Sequence, residues 1–196
     1  MRIGYGYDVH RFRPAGGVLK LGGIELAADR GLAGHSDADV LLHAITDALL
    51  GAIAGPDLGE LFPSSESRYR SADSRLFIRR ARELMARSGW RVANLDTVVI
   101  ADTPRITPHK TALRRSISGL LGLSPEMVSV KAKTTEGFPP GREGIAAHAV
   151  VLLERSGGAR RGVERGRVAK AKRSERAARG VRRSTGRRCA STTRRT

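Results

Sequence analysis

Apolar and polar positions alternate along the first 154 residues in short runs separated by glycine or proline. This alternation predicts a strand over residues 2–12 and a second strand over 18–26 that is interrupted by Gly22-Gly23. Runs rich in valine, isoleucine and alanine predict three further strands, over 90–101, 128–133 and 144–154.

Three other segments carry apolar residues at helical spacing. The first begins near Ser36, which can cap a helix, and is expected to end at about Ala54. The others are predicted over 72–88 and about 109–121, whereas 55–71 has little periodicity and is predicted to be a loop. This order predicts an α+β fold, with a mixed or antiparallel sheet of four to five strands and three helices on one face.

Charge divides the 196-residue chain into two regions. Residues 1–154 contain 20 basic and 17 acidic side chains and all eight aromatic residues, whereas residues 155–196 contain 16 basic and 2 acidic side chains. The net charge of +17 therefore belongs mainly to the C-terminal segment, which has no large apolar residues with which to form a core. We predict one domain over 1–154 and a basic, disordered tail over 155–196.

The tail leaves an alternative function open. A strongly basic segment favours weak, salt-sensitive and sequence-indifferent binding of nucleic acid, so a nucleic-acid-binding protein is the second hypothesis. A solvated extension without a function is the other interpretation of the same composition. One cysteine, Cys189, predicts no intramolecular disulfide, and neither a signal peptide nor a membrane-spanning helix is expected. We expect a cytoplasmic protein with no membrane partner.

Two short motifs contain candidate metal ligands. Asp8 and His10 lie two residues apart in a predicted strand, so both side chains project from one face. His43 lies on the predicted helix, one turn from Asp39 and one turn from Asp47, and Asp47 is the expected acceptor for its second ring nitrogen. Asp8, His10 and His43 would leave the fourth position of a zinc ion open for substrate. An exposed Asp–His pair and a salt-bridged helix face are the alternatives.

Two further segments have the residue types of an anion site. His35 and Ser36 lie at the predicted helix start, where free backbone N–H groups suit a phosphate. The segment from Lys131 to Glu136 and the glycine-rich loop after it combine lysines, hydroxyls and an arginine, which is typical of a phosphate clamp or of a plain polar hairpin loop. Glu136 also supplies an oxygen ligand of the kind that Mg²⁺ prefers.

Together these segments resemble the 2-C-methyl-D-erythritol 2,4-cyclodiphosphate synthase family of the non-mevalonate isoprenoid pathway. The matching stretches run in order from Met1 to about Glu154 and include RIGYGYDVHRF, GHSDADVLLHAITDALLGA, GPDLGELFP and VKAKTTEG. The resemblance implies a lyase that cyclises 4-diphosphocytidyl-2-C-methyl-D-erythritol 2-phosphate with release of CMP. It also implies a homotrimer whose active sites lie between neighbouring subunits.

The resemblance further assigns roles residue by residue. The residues that match the zinc ligands are Asp8, His10 and His43. His35 and Thr134 match residues that stabilise the transition state, and Glu136 lies near a second metal, Mg²⁺ or Mn²⁺. The expected substrate-binding residues are Ser36, Asp57, Leu58, Gly59, Phe62, Glu66, Ala101, Pro104, Arg105, Thr107, Lys133, Thr135, Glu136, Phe138 and Arg142. The loop between Glu136 and Glu143 is shorter than in the common family form.

Overall fold

The computed structural model describes residues 1–26, 28–138 and 143–157. Its main sheet has four strands, which are β1 (Arg2–Arg11), β4 (Trp90–Ile100), β5 (Val128–Lys133) and β6 (Gly144–Arg155). Their order across the sheet is β1-β6-β4-β5, with β4 and β5 parallel and the other two pairs antiparallel. The predicted α+β fold with a mixed sheet is therefore confirmed, and the sheet has four strands.

The segment predicted as one interrupted strand over 18–26 forms a separate two-stranded hairpin. Its strands are β2 (Leu19–Leu21) and β3 (Ile24–Leu26), and they pair with each other rather than with the main sheet. Gly22 and Gly23 have φ angles of 59° and 79°. Positive φ at both central positions is the backbone of a tight hairpin turn, which glycine adopts without steric strain.

The structure contains four α-helices within the described residues. They are α1 (Val40–Ala52), α2 (Leu58–Leu61), α3 (Arg75–Arg87) and α4 (Lys110–Leu121). The short helix α2 and a 3₁₀ turn over Ser67–Tyr69 lie in the segment 55–71 that was predicted to be a loop. Asp57 explains the start of α2, because its side chain accepts a hydrogen bond from the Glu60 N–H at 2.8 Å.

The prediction that α1 begins near Ser36 is wrong. The N-cap is Asp39, whose carboxylate accepts the Leu42 N–H at 3.0 Å. The same carboxylate accepts the N–H groups of Gly22 at 2.8 Å and Gly23 at 2.7 Å, so it ties the β2–β3 turn to the helix start. Because Asp39 caps the helix, the Ser36 side chain is left to face the cavity described below.

Helix α1 lies directly on strand β1. A Cβ atom added at Gly4 would stand 1.8 Å from the Ala48 carbonyl oxygen, and one added at Gly6 would stand 2.0 Å from the Ala44 carbonyl oxygen. Eleven of the thirteen residues of α1 are buried. Helices α1, α3 and α4 pack on this face of the sheet, as predicted, while the opposite face of β1 exposes Ile3, Tyr5, Tyr7 and Val9.

The described part of the chain ends shortly after the last strand. Strand β6 ends at Arg155, and residues 158–196, which include Cys189 and most of the predicted tail, lie outside the described residues. Among the described residues, no helix has the length and apolar character needed to cross a membrane.

Candidate metal centre and active site

Strand β1 and helix α1 bring three metal-ligand side chains together. The Asp8 Oδ2 atom lies 3.0 Å from His10 Nε2 and 2.9 Å from His43 Nδ1. The two ring nitrogens, His10 Nε2 and His43 Nδ1, are 3.1 Å apart. Asp8 and His10 reach this point because alternate residues of β1 face the helix, and His43 reaches it because α1 lies so close to the strand.

The spacing of these three atoms fits a divalent metal ion. A tetrahedral ion with ligand distances of about 2.0–2.1 Å has edges of about 3.3 Å between its ligand atoms. The observed edges of 2.9 to 3.1 Å are close to that value, and all the ligand atoms lie within 4.8 Å of one another. Two imidazoles and one carboxylate are also a donor set that zinc accepts, with a fourth position left for a substrate oxygen.

The contacts within the cluster shift the pKa values of Asp8 and His10 in opposite directions. Burial alone would raise the pKa of Asp8, but hydrogen bonds from His10 and His43 and their charges outweigh it and hold that pKa well below its usual range. Burial alone would lower the pKa of His10, but the hydrogen bond to Asp8 and its charge outweigh it and raise that pKa. Asp8 is therefore ionised, whereas a metal ion must displace a proton from His10 at mildly acidic pH.

The second ring nitrogen of His43 does not contact Asp47, so that prediction is wrong. His43 Nε2 lies 2.9 Å from Ser74 Oγ and 3.1 Å from Ser36 Oγ. Side chains on a helix lean toward its N-terminus, which carries the ring away from Asp47, one turn further along. Asp47 instead accepts the Leu58 N–H at 2.8 Å and so holds the start of α2 beside the cluster.

A cavity of about 430 Å³ opens over the metal cluster. Nine of the residues that the sequence predicted for the site line it, namely Asp8, His10, His35, Ser36, His43, Asp57, Leu58, Gly59 and Phe62. The four other lining residues are Asp47, which the sequence predicted only as a partner of His43, and Ser64, Tyr69 and Phe77, which the sequence reasoning missed. Phe77 packs on Phe62 at 4.4 Å between ring centroids, and its helical spacing indicated only a core position.

A second cavity of about 400 Å³ lies at the ends of β4 and β5. Of the predicted residues, it is lined by Ala101, Arg105, Thr107, Lys133 and Thr134. Pro104 lines a third, smaller cavity with Phe12 and Arg30, so it does not join this group. The two predicted transition-state residues are thus in different cavities of one chain, His35 in the first and Thr134 in the second.

The segment after β5 is held by hydrogen bonds to the loop after β4. Asp102 accepts the Thr135 N–H at 2.8 Å and the Thr135 hydroxyl at 2.7 Å. The Thr134 hydroxyl donates to the Glu136 carboxylate, and Glu136 has a φ of 52°, a left-handed conformation that is strained for a residue with a Cβ atom. Strain of this kind is common where a backbone positions a ligand.

Five predicted substrate contacts do not line the described cavities. Thr135 and Glu136 follow Thr134 in the segment after β5 but are not among the lining residues of the second cavity. Glu66 does not line the first cavity and pairs with Arg68 instead. Phe138 is 74% exposed, and Arg142 lies outside the described residues. The spacing of residues along the chain identified the metal cluster well, but it carried no information on these loop positions.

Comparisons with known proteins agree with this geometry. The YgbB family matches residues 1–154. A 2-C-methyl-D-erythritol 2,4-cyclodiphosphate synthase from Syntrophomonas wolfei is 52% identical over 158 residues, which cover 80% of this chain and 100% of that protein. A solved structure of 2C-methyl-D-erythritol-2,4-cyclodiphosphate synthase has a TM-score of 0.74 and 40% identity, covering 78% of this chain and 100% of its own. A second one, in a form bound to CDP, has a TM-score of 0.73 and 38% identity, with the same two coverages. The chain therefore belongs to the YgbB family.

Proposed function

We propose that the chain converts 4-diphosphocytidyl-2-C-methyl-D-erythritol 2-phosphate to 2-C-methyl-D-erythritol 2,4-cyclodiphosphate and CMP. The observation that carries this proposal is the convergence of Asp8, His10 and His43 at the floor of the first cavity. The 52% identity to a protein with that name, over its whole length, supports the same reaction.

The reaction needs no nucleophilic side chain. An oxygen of the 2-phosphate attacks the diphosphate phosphorus that lies on the methylerythritol side. A new P–O bond forms there, and the bond from that phosphorus to the oxygen that leaves with CMP breaks. The protein has to hold two anions in line and supply hydrogen-bond donors where negative charge develops. A divalent ion bound by Asp8, His10 and His43 would polarise a phosphoryl oxygen and offset its charge.

His35 and Thr134 are the proposed donors to the reacting phosphates. His35 Nε2 is buried and has no hydrogen-bond partner among the described residues. A buried polar atom without a partner is costly, so a phosphate oxygen in the cavity would satisfy it. Thr134 donates to Glu136 in this structure, and its hydroxyl would turn to a phosphate when substrate occupies the second cavity.

We assign zinc to the Asp8–His10–His43 cluster, because nitrogen-rich, four-coordinate sites suit that ion. A harder ion, Mg²⁺ or Mn²⁺, is proposed near Glu136, where a carboxylate and the substrate phosphates would supply oxygen ligands. The remaining substrate contacts are proposed in two groups. The first cavity would hold the methylerythritol phosphate through Ser36, Asp57, Leu58, Gly59 and Phe62. The second would hold the cytidine and diphosphate through Ala101, Arg105, Thr107 and Lys133, and Thr135 would contact the substrate from the segment that follows this cavity.

A homotrimer would join the two cavities into one site. The first cavity contains residues of β1 and the second contains residues of β5, and these are the two edge strands of the sheet. Neighbouring strands are about 4.8 Å apart, so β1 and β5 are separated by about 14 Å within one chain. We propose that β5 of one subunit lies near β1 of the next, and that the exposed face with Tyr5 and Tyr7 packs in the interface.

We assign the catalytic domain to residues 1–154, treat 155–196 as an appended basic tail, and expect the protein in the cytoplasm. The comparisons lend no support to the alternative of a nucleic-acid-binding protein, and the tail on which it depends lies outside the described residues from 158 onward.

The experiment is a turnover assay with the cytidylyl substrate, Zn²⁺ and Mg²⁺. We expect stoichiometric release of CMP and appearance of the cyclic diphosphate by phosphorus NMR. The His43→Ala variant should lose the activity, whereas His109→Ala, at a half-buried position distant in sequence from the cluster, should keep it. Absence of CMP release by a folded, metal-loaded wild-type chain would refute the proposed reaction.

A further inference from the structure

A chain of polar side chains behind His43 connects the metal cluster through Ser74 and Asp37 to Lys20 on β2. His43 Nε2 lies 2.9 Å from Ser74 Oγ, and the Ser74 hydroxyl donates in turn to Asp37 Oδ1. Asp37 also accepts the Ser74 N–H at 3.2 Å, and its other oxygen lies 3.5 Å from Lys20 Nζ. Ser74 is completely buried, and the Asp37 side chain is 10% exposed.

We propose that Ser74 and Asp37 are positioning residues that fix the tautomer and the orientation of His43 for metal binding. The proposal rests on the metal role assigned to His43 above. Neither residue contacts the ligand atoms of the cluster, so both would act through the His43 ring.

The directions of the hydrogen bonds determine the tautomer. An ionised carboxylate can only accept, so the single hydroxyl proton of Ser74 is used by Asp37. Ser74 Oγ can then interact with His43 only as an acceptor, which requires the proton of the ring to be on Nε2. A metal ion in the cluster takes the place of any proton between His43 Nδ1 and Asp8 Oδ2, which are 2.9 Å apart, so with the ring proton held on Nε2 the Nδ1 lone pair is the one that binds the metal.

The local structure of Ser74 points to the same role. Ser74 occupies the N-cap position of α3, where serine normally accepts a backbone N–H of the first helical turn. Its side chain makes no such bond, and its hydroxyl is used by His43 and Asp37 instead. Asp73 Oδ1 instead accepts the N–H of Arg75, the first residue of α3, at 2.9 Å, so the Ser74 hydroxyl is not needed at the helix start and can serve His43 and Asp37.

The test measures binding of Zn²⁺ alone to the full chain, by competition with a chelator and without substrate. Ser74→Ala should weaken Zn²⁺ binding by about 10- to 100-fold, the usual effect of losing the partner of a metal-bound histidine. Asp37→Asn should also weaken it, because the amide puts an N–H donor where Lys20 or Ser74 needs an acceptor. The control is Ser118→Ala, which removes another buried hydroxyl, on α4, and should leave the affinity unchanged.

A second measurement separates positioning from a general loss of stability. In the Zn²⁺-loaded wild-type chain, NMR should show a slowly exchanging proton on His43 Nε2, and that protection should be lost in Ser74→Ala. Equal Zn²⁺ affinity in wild type and Ser74→Ala, both folded by circular dichroism, would overturn the positioning role and leave the proposed reaction intact. A wild-type chain that binds no Zn²⁺ would overturn both.

Discussion

The close contact between β1 and α1 predicts a large effect of Gly6→Ala. The added Cβ would stand 2.0 Å from the Ala44 carbonyl oxygen, whereas such contacts are essentially never shorter than 3.0 Å. The obstacle is backbone inside a buried helix, so α1 has to move away from β1 by about 1 Å. His43 precedes Ala44 on the same helix and would move with it, away from Asp8 and His10.

This displacement is large relative to the tolerance of the metal cluster. A shift of about 1 Å would lengthen the 2.9 Å separation between Asp8 Oδ2 and His43 Nδ1, whereas metal ligands must be held to about 0.5 Å. We expect Gly6→Ala to lower the free energy of unfolding by about 1–3 kcal/mol, as overpacking does. We also expect turnover to fall by about 100-fold, the effect of a misplacement of this size.

The assay combines urea unfolding with Zn²⁺ titration of the folded chain. Gly51→Ala is the matched control, because Gly51 is on the same helix but the atom nearest to its added Cβ is 3.9 Å away. It should keep normal Zn²⁺ affinity and gain up to about 1 kcal/mol of stability. A Gly6→Ala chain that unfolds at the wild-type urea concentration and binds Zn²⁺ normally would refute the reasoning.

Four further predictions concern capping, pH and helix propensity. Asp39→Ala leaves three backbone N–H groups without their acceptor, so it should lower the free energy of unfolding by about 3 kcal/mol or more. A loss below about 1 kcal/mol, measured by urea unfolding, would contradict the capping role. Zn²⁺ affinity should fall by at least about tenfold per pH unit below the raised pKa of His10, because binding displaces at least the His10 proton. A flat profile in the chelator assay would contradict that raised pKa. In the metal-free chain, the lowered pKa of Asp8 stabilises the folded state at pH values above 3.8, its unfolded pKa. The raised pKa of His10 stabilises the folded state at pH values below 6.5, its unfolded pKa. The urea concentration at the unfolding midpoint should therefore be highest between pH 3.8 and pH 6.5. Gly119→Ala, with open space around the added Cβ in α4, should raise stability by about 0.5–1 kcal/mol in the same unfolding assay.

The sequence predicted the main strands well because alternation is a local signal that burial on one face of a sheet preserves. It could not show that 18–26 pairs with itself, since that pairing depends on how the Gly22-Gly23 turn meets α1. The start of α1 was misplaced for a related reason. Ser36 and Asp39 are both good N-cap residues, and the choice was made by the bonds from the hairpin amides to Asp39, about 16 residues away in the chain.

The metal ligands were predictable for the same local reason, because Asp8 and His10 share one face of a strand and His43 lies on a helix with polar neighbours. The partner of the second ring nitrogen of His43 could not be predicted, because Ser74 lies 31 residues away in the chain and only tertiary packing brings it close. The division of the predicted residues into two cavities also follows from strand order, which no spacing along the chain encodes.

The most direct test of the proposed mechanism is to add Zn²⁺ stepwise to the metal-free full chain, in constant excess Mg²⁺, while CMP release is measured. We expect the rate to rise in proportion to added Zn²⁺ and to level off at one ion per chain, with no restoration in Asp8→Ala. A metal-free chain that releases CMP at the rate of the Zn²⁺-loaded chain would contradict the role assigned to Asp8, His10 and His43.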